Sequence, residues 1–163
     1  MPIKIRSISS NTTSALLASR EMGKVDMNRR HQREISQQYA DKFRTKIVSL
    51  DDLIGSLSGG NQQKVVISRA LSTRPKVVIL DEPTRGIDAA ARSDVYGIIR
   101  QLKEEGVAVL MVSSDIEEVV ELADRAITIF QGRINGEFSH DEISQDALTS
   151  ASFGIGHERV VAK

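Results

Sequence analysis

Two short stretches of this 163-residue chain carry residue types whose order points to chemistry. The first is Asp81-Glu82-Pro83, which follows the apolar run Val77-Val78-Ile79-Leu80. Four apolar residues ending in two acids put both carboxylates at the C-terminal edge of a buried strand, where open α/β sheets bind their ligands. Asp81 is placed to hold a hydrated Mg²⁺ on a nucleotide phosphate, and Glu82 to orient and polarise an attacking water. Adjacent carboxylates at a dry strand end resist joint ionisation unless a cation compensates, which favours this reading. The plainer alternative is a polar turn after a core strand.

The second stretch is Leu57-Ser58-Gly59-Gly60-Asn61-Gln62-Gln63-Lys64. Ser58 suits a helix N-cap, and two glycines after it leave the first backbone N–H groups open to an anion. Glycine inside a helix start carries a propensity cost that a purely structural start avoids. The alternative is an ordinary capped helix with Gly59 and Gly60 in its first turn.

The elements that must position these stretches follow from periodicity. Ile35, Tyr39, Phe43 and Ile47 recur at steps of four between Arg29 and Lys46, an amphipathic helix. Ile67, Ala70 and Leu71 give the helix begun at Ser58 its buried stripe, and Arg74-Pro75 stops it. Val77–Leu80 and Val107–Val112 read as buried strands, with a helix between them on Val95, Ile98, Ile99 and Leu102. Ile116, Val119, Val120 and Ala123 have helical spacing, and Ala126–Phe130 is a third strand. Gly132 opens a turn into Ile134–Phe138, and Ser139-x-x-Glu142 is a capping-box match for a last short helix. Strand, helix, strand, helix, strand with short connections is an α/β layer arrangement, preceded here by a mostly helical part.

Composition excludes several classes. Lys+Arg and Asp+Glu both number 22, so no excess of positive charge grips nucleic acid. With no cysteine there is no disulfide, zinc-thiolate site or thiol nucleophile. His31, His140 and His157 stand apart in polar or terminal segments and read as surface residues. The longest apolar run, Val107–Val112, is far short of the ~20 residues that cross a bilayer. Arg29, Arg30, Arg33, Lys42, Arg44 and Lys46 form a basic stripe whose default is a solvated helix face, with contact to an acidic partner surface as the alternative.

Taken together, Leu57–Lys64 resembles the signature motif of ATP-binding cassette (ABC) proteins. Val77–Pro83 resembles their Walker B strand with its catalytic glutamate, and Thr84–Asp88 their D-loop. The longer string Leu-Asp-Glu-Pro-Thr-Arg-Gly-Ile-Asp, with Val112-Ser113-Ser114-Asp115, is similar to the second ATPase half of bacterial sugar-importer subunits, those for autoinducer-2 included. The texture of Val107–Arg125 leans toward the autoinducer-2 type. The resemblance covers roughly residues 10–155 and implies an incomplete P-loop NTPase fold, a helical subdomain followed by parallel strands with flanking helices. It implies that Ser58, Gly59 and Gly60 touch the γ-phosphate of ATP held by an opposite cassette, with Gln62 and Gln63 supporting that helix start. Asp81 would serve Mg²⁺, Glu82 would act as general base or water orienter, and Asp88 would link two sites across a dimer interface. The implied partners are a second cassette carrying a Walker A loop, a transmembrane permease and, indirectly, a periplasmic binding protein. The implied location is the cytoplasmic side of the inner membrane.

Two departures shape the expectation. No Gly-x-x-x-x-Gly-Lys-Ser/Thr string occurs in the sequence, so the chain is expected to begin past the Walker A region and to hold little triphosphate alone. Ser114 stands where ordinary cassettes carry a switch histidine; with Glu117 it also fits a capping box at a helix start. The expected organisation is a partial helical subdomain over 1–75, an α/β part over 76–155 and a tail over 156–163. The alternative function is a non-catalytic fragment that docks on a cassette or permease.

Overall fold

The computed structural model describes residues 29–155, which divide into two units at Met111/Val112. The part of the expected helical subdomain before residue 29, the expected tail over 156–163 with His157, and the side chain of His31 lie outside what is described.

In the first unit, helix α1 (Arg29–Lys42) is followed by a 3-10 turn (Ile54–Ser56), helix α2 (Gly59–Leu71), strand β1 (Val77–Asp81), helix α3 (Ala89–Glu104) and strand β2 (Ala108–Val112). α1 buries Ser36, Ala40 and, just past its end, Phe43. It stops earlier than the four-residue spacing predicts because Arg44 turns left-handed, at φ 48°. There the Thr45 N–H bonds the Ala40 carbonyl and the Arg44 N–H bonds Asp41, a Schellman ending without its usual glycine. Much of the basic stripe is consumed internally: Arg33 grips both oxygens of Asp51 (3.0 and 2.7 Å), and Lys42 reaches Glu105 (2.8 Å).

β1 and β2 are parallel neighbours joined through α3, the crossover that the apolar spacing predicts. Val95, Ile98, Ile99 and Leu102 of α3 are all buried. The strands themselves differ from expectation. Val78 and Leu80 are buried, but Val77 and Ile79 are 58% and 67% exposed, so β1 is covered on one face only. β2 likewise exposes Ala108, Leu110 and Val112. A continuous apolar run specifies a strand without saying which face its neighbours cover.

The second unit comprises α4 (Ile116–Leu122), β3 (Arg125–Phe130), β4 (Arg133–Ser139), a 3-10 turn (His140–Glu142) and α5 (Gln145–Ser152). β3 pairs antiparallel with β4, from Arg125↔Ser139 to Phe130↔Arg133, with a register shift at Thr128/Ile129. The connection is Gln131-Gly132 with φ of 48° and 76°, the doubly positive pattern of a type I′ hairpin. Ala126 and Phe138 turn inward onto Leu148 and Ala151 of α5. The Ser139/Glu142 pair forms as expected, Glu142 accepting from the Ser139 N–H (3.0 Å) and hydroxyl (2.8 Å). It opens a single 3-10 turn; the helix proper, α5, starts later, at Ser144, whose hydroxyl accepts from the Ala147 N–H.

Candidate functional site

Strand β1 ends at Asp81, whose side chain is exposed, and Glu82 follows with a left-handed backbone, φ 48°. A β-carbon in that region costs about 1 kcal/mol or more, so the chain tolerates strain at Glu82. The loop is tied on either side: Pro83 and Thr84 are buried, and the Arg85 N–H reaches the Glu82 carbonyl at 3.2 Å. Gly86, at φ 76°, turns the chain toward Asp88. Asp88 is the N-cap of α3, its carboxylate accepting from the Ala91 N–H at 2.9 Å.

Ser58 occupies the N-cap position of α2 with φ −59° and ψ 154°, but its side chain makes no capping bond. Here the expectation that the Ser58 hydroxyl caps the helix is corrected. Instead Asn61 Nδ2 donates to Ser58 Oγ at 2.9 Å, while Asn61 Oδ1 accepts from the Lys46 N–H at 2.9 Å. The first turn of α2 is thereby left without a side-chain cap, at the positive end of the helix dipole. Gln62 supports this start from below, donating from Nε2 to the Leu57 carbonyl at 2.7 Å.

Gly60 is held for a packing reason that the sequence does not reveal, whereas a β-carbon on Gly59 would make only ordinary contacts. A β-carbon on Gly60 would stand 2.3 Å from Ala91 Cβ, an overlap that one of the two helices must shift to relieve. On Gly59 it would lie 3.5 Å from Ile87 Cγ2 and 3.8 Å from the Gly86 carbonyl oxygen. Thus the start of α2 sits directly against the loop from Gly86 to Ala91. A second tie lies one turn further on: Lys64, 4% exposed, donates to Asp94 of α3 at 2.6 Å and to the Arg44 carbonyl at 3.3 Å.

The structure therefore brings Gly59 and Gly60 against the loop through Asp88 to Ala91, with Ser58 next to them in sequence, and sets Asp81 and Glu82 at the start of that loop. Ser114 belongs to the second unit and is exposed. It is not the cap of α4, as the Ser-x-x-Glu spacing predicts. Asp115 is, its Oδ1 accepting from the Glu117 and Glu118 N–H groups at 3.1 and 3.4 Å. A carboxylate one position later outcompetes the hydroxyl because charge-assisted bonds at the helix start are stronger. His140 is exposed, its Nδ1 3.4 Å from the Ala123 carbonyl, as a surface residue. Sequence reading overlooked Asn61; its position inside the Leu57–Lys64 string was the signal available.

The donors present suit part of a Mg²⁺-nucleotide site. Among the described residues no three His, Cys, Asp or Glu side chains converge as a metal cage. A cation here would rest on one or two carboxylates, water and phosphate, which is the habit of Mg²⁺. The phosphate-cradling loop is not supplied by these residues.

Residues 4–85, half of the chain, match the ABC transporter family. Among curated relatives, the xylose import ATP-binding protein XylG of Moorella thermoacetica is 46% identical over 116 residues, which is 71% of this chain and 23% of that protein. The chain thus spans about a quarter of that relative's length. Among solved structures, the ATP-binding cassette MJ0796 in a post-hydrolysis state with ADP and Pi superposes with a TM-score of 0.71 at 22% identity, over 82% of this chain and 58% of that one. MJ1267, an ATP-binding cassette of an ABC transporter, gives 0.70 at 22%, over 93% and 65%. At those identities the likeness is one of fold, the P-loop NTPase fold of ABC cassettes. No helix among the described residues is long and apolar enough to cross a membrane. With the family match running through the α2 start to the end of β1 and into the loop beyond, the chain belongs to the ABC transporter family.

Proposed function

We propose that this chain forms part of the ATP-binding subunit of an importer for a monosaccharide, presenting the start of α2 to ATP held by a second cassette. The observation that carries this is the uncapped first turn of α2: Ser58 withholds its side chain from capping, and Gly59 beside it is exposed and carries no side chain to block an anion's approach. The xylose import relative supports a sugar as solute. The autoinducer-2 reading rests on the texture of Val107–Arg125 alone.

In this role Ser58 and the Gly59 and Gly60 amides receive a terminal phosphate from across an interface. Asp81 holds a cation at the chain's own strand end. Glu82, aimed by its left-handed backbone, orients a water and takes its proton. Bound Mg²⁺ and ATP supply the electrophilic phosphorus and the neutralising charge. Gly86–Asp88, in contact with the α2 start, links one site to the other. Ser114, two residues past β2, holds the position where ordinary cassettes carry a switch histidine, and a hydroxyl is a weaker phosphate donor than an imidazolium. A phosphate loop, a transmembrane permease and a periplasmic binding protein complete the assembly, with this chain on the cytoplasmic side of the inner membrane. Because the sequence has no such loop, the isolated chain is expected to hydrolyse ATP negligibly.

The absence of native cysteine makes the test clean. Ser58→Cys is combined with a cassette bearing a phosphate loop and a cysteine engineered into that loop. Cross-linking that requires Mg²⁺-ATP supports the reading. Cross-linking that ignores nucleotide points instead to a non-catalytic docking fragment, and robust hydrolysis by the chain alone overturns the proposal.

A further inference from the structure

We propose that Asn61 is a positioning residue that fixes the Ser58 hydroxyl as a hydrogen-bond donor toward an oxyanion. The inference rests on the reading of Ser58–Gly60 as a phosphate-facing surface and adds the device that orients it. The Lys46 N–H can only donate. Its 2.9 Å bond to Asn61 therefore requires the amide oxygen on that side. The amide nitrogen must then face Ser58, and its 2.9 Å contact makes Ser58 Oγ an acceptor. A hydroxyl has one hydrogen. With its oxygen engaged by Asn61, that hydrogen is directed away from Asn61, and among the described residues no acceptor takes it. Ser58 does not cap α2, so its hydroxyl is spared for an external acceptor. An anchored backbone N–H, passed through one amide, thus sets the polarity of the group that meets the phosphate.

A carboxylate at the same position would reverse this polarity without changing shape. It would still accept from the Lys46 N–H, but its other oxygen would accept the Ser58 proton instead of donating to the oxygen. Once protonated, the introduced carboxyl could again donate to Ser58, so the defect is reversible by acid.

The test uses the full chain with sulfate as probe, a dianion throughout the range from about pH 4 to pH 7, at constant ionic strength. Amide shifts of Gly59 and Gly60 report binding in the native chain, Ser58→Ala, Asn61→Ala and the double variant. Ser58→Ala is expected to weaken binding about tenfold, a typical loss for a bond to a charged group. Asn61→Ala should weaken it about threefold with Ser58 present and not at all in the Ser58→Ala background. Asn61→Asp should weaken it more than tenfold near neutral pH and recover as the introduced carboxyl is protonated, while its unfolding midpoint stays near that of the native chain. Equal losses for Asn61→Ala with and without Ser58 would overturn the role of Asn61 while leaving the phosphate-facing surface intact. A native chain whose Gly59 and Gly60 amides ignore sulfate would instead overturn the reading of the surface, and this inference with it.

Discussion

Helix α2 and helices α3, α4 and α5 begin in opposite ways. Asp88, Asp115 and Ser144 each turn a side-chain oxygen onto backbone N–H groups of the helix that follows. Ser58 stands in the same position and does not. Three starts satisfy their own donors, as helices usually do; the fourth is fixed by what packs on it. Gly60 lies against Ala91, Lys64 reaches Asp94, and Asn61 is anchored by the Lys46 N–H. A helix end can therefore be held rigidly while its polar groups remain available, provided that a neighbouring helix supplies the rigidity.

If packing replaces the cap, disturbing it must cost more than removing any cap. Asp94→Ala leaves the buried Lys64 ammonium without its carboxylate and should destabilise the chain by about 2 to 3 kcal/mol, moderated because Asp94 itself is half exposed. Gly60→Ala drives a methyl into Ala91 and should cost about 2 kcal/mol in spite of alanine's better helix propensity. Urea unfolding of both variants measures this, and losses under 1 kcal/mol would show that the contacts do not hold the helix. Adding Ala91→Gly should return most of the stability lost in Gly60→Ala.

The cap comparison itself gives the next effect. Asp88→Ala and Asp115→Ala should each cost about 1 kcal/mol, whereas Ser58→Ala should leave stability unchanged within ~0.5 kcal/mol. A comparable loss for Ser58→Ala in thermal unfolding would erase the distinction. Glu82→Gly tests a different sacrifice. Relief of the left-handed backbone should raise stability by up to about 1 kcal/mol while removing the proposed proton acceptor.

The smallest effect lies on the surface of the same unit. The Arg33 guanidinium, hydrogen-bonded to Asp51, holds that carboxyl below its ordinary range. A depressed carboxyl adds stability above the ordinary value and loses it as pH falls through the lowered one. Carboxyl NMR should find the Asp51 midpoint low in the native chain and back in the ordinary range in Arg33→Gln. An unchanged midpoint would show the ion pair to be inert in solution.

Much of this site is legible in one dimension because its parts are local strings. Asp81-Glu82 after four apolar residues, and Ser58-Gly59-Gly60 at a helix start, are short enough for spacing to fix their element. The helix on Val95, Ile98, Ile99 and Leu102 is equally plain, since all four side chains share one face. What escaped depends on partners distant in sequence. The reason for Gly60 is Ala91, on another helix, and the reason for Asn61 is a backbone donor at Lys46. Spacing also misassigned the cap of α4 to Ser114, because two adjacent residues can both reach a helix start and only their relative bond strength decides for Asp115. An apolar run likewise predicts β3 without its partner; that β3 pairs with β4 follows from the two-residue Gln131-Gly132 turn.

That turn has a consequence in time. β3 and β4 meet across a closure of two residues, whose handedness already matches the twist of the strands, so their pairing can begin within microseconds of collapse. β1 and β2 must first enclose all of α3, and the entropy of closing so large a loop delays them. Refolding should therefore protect the hairpin amides ahead of those in β1, an order that pulse-labelled hydrogen exchange would reverse if the crossover formed first. The strand bearing Asp81 is then among the last parts to be secured, and the hairpin downstream in sequence among the first.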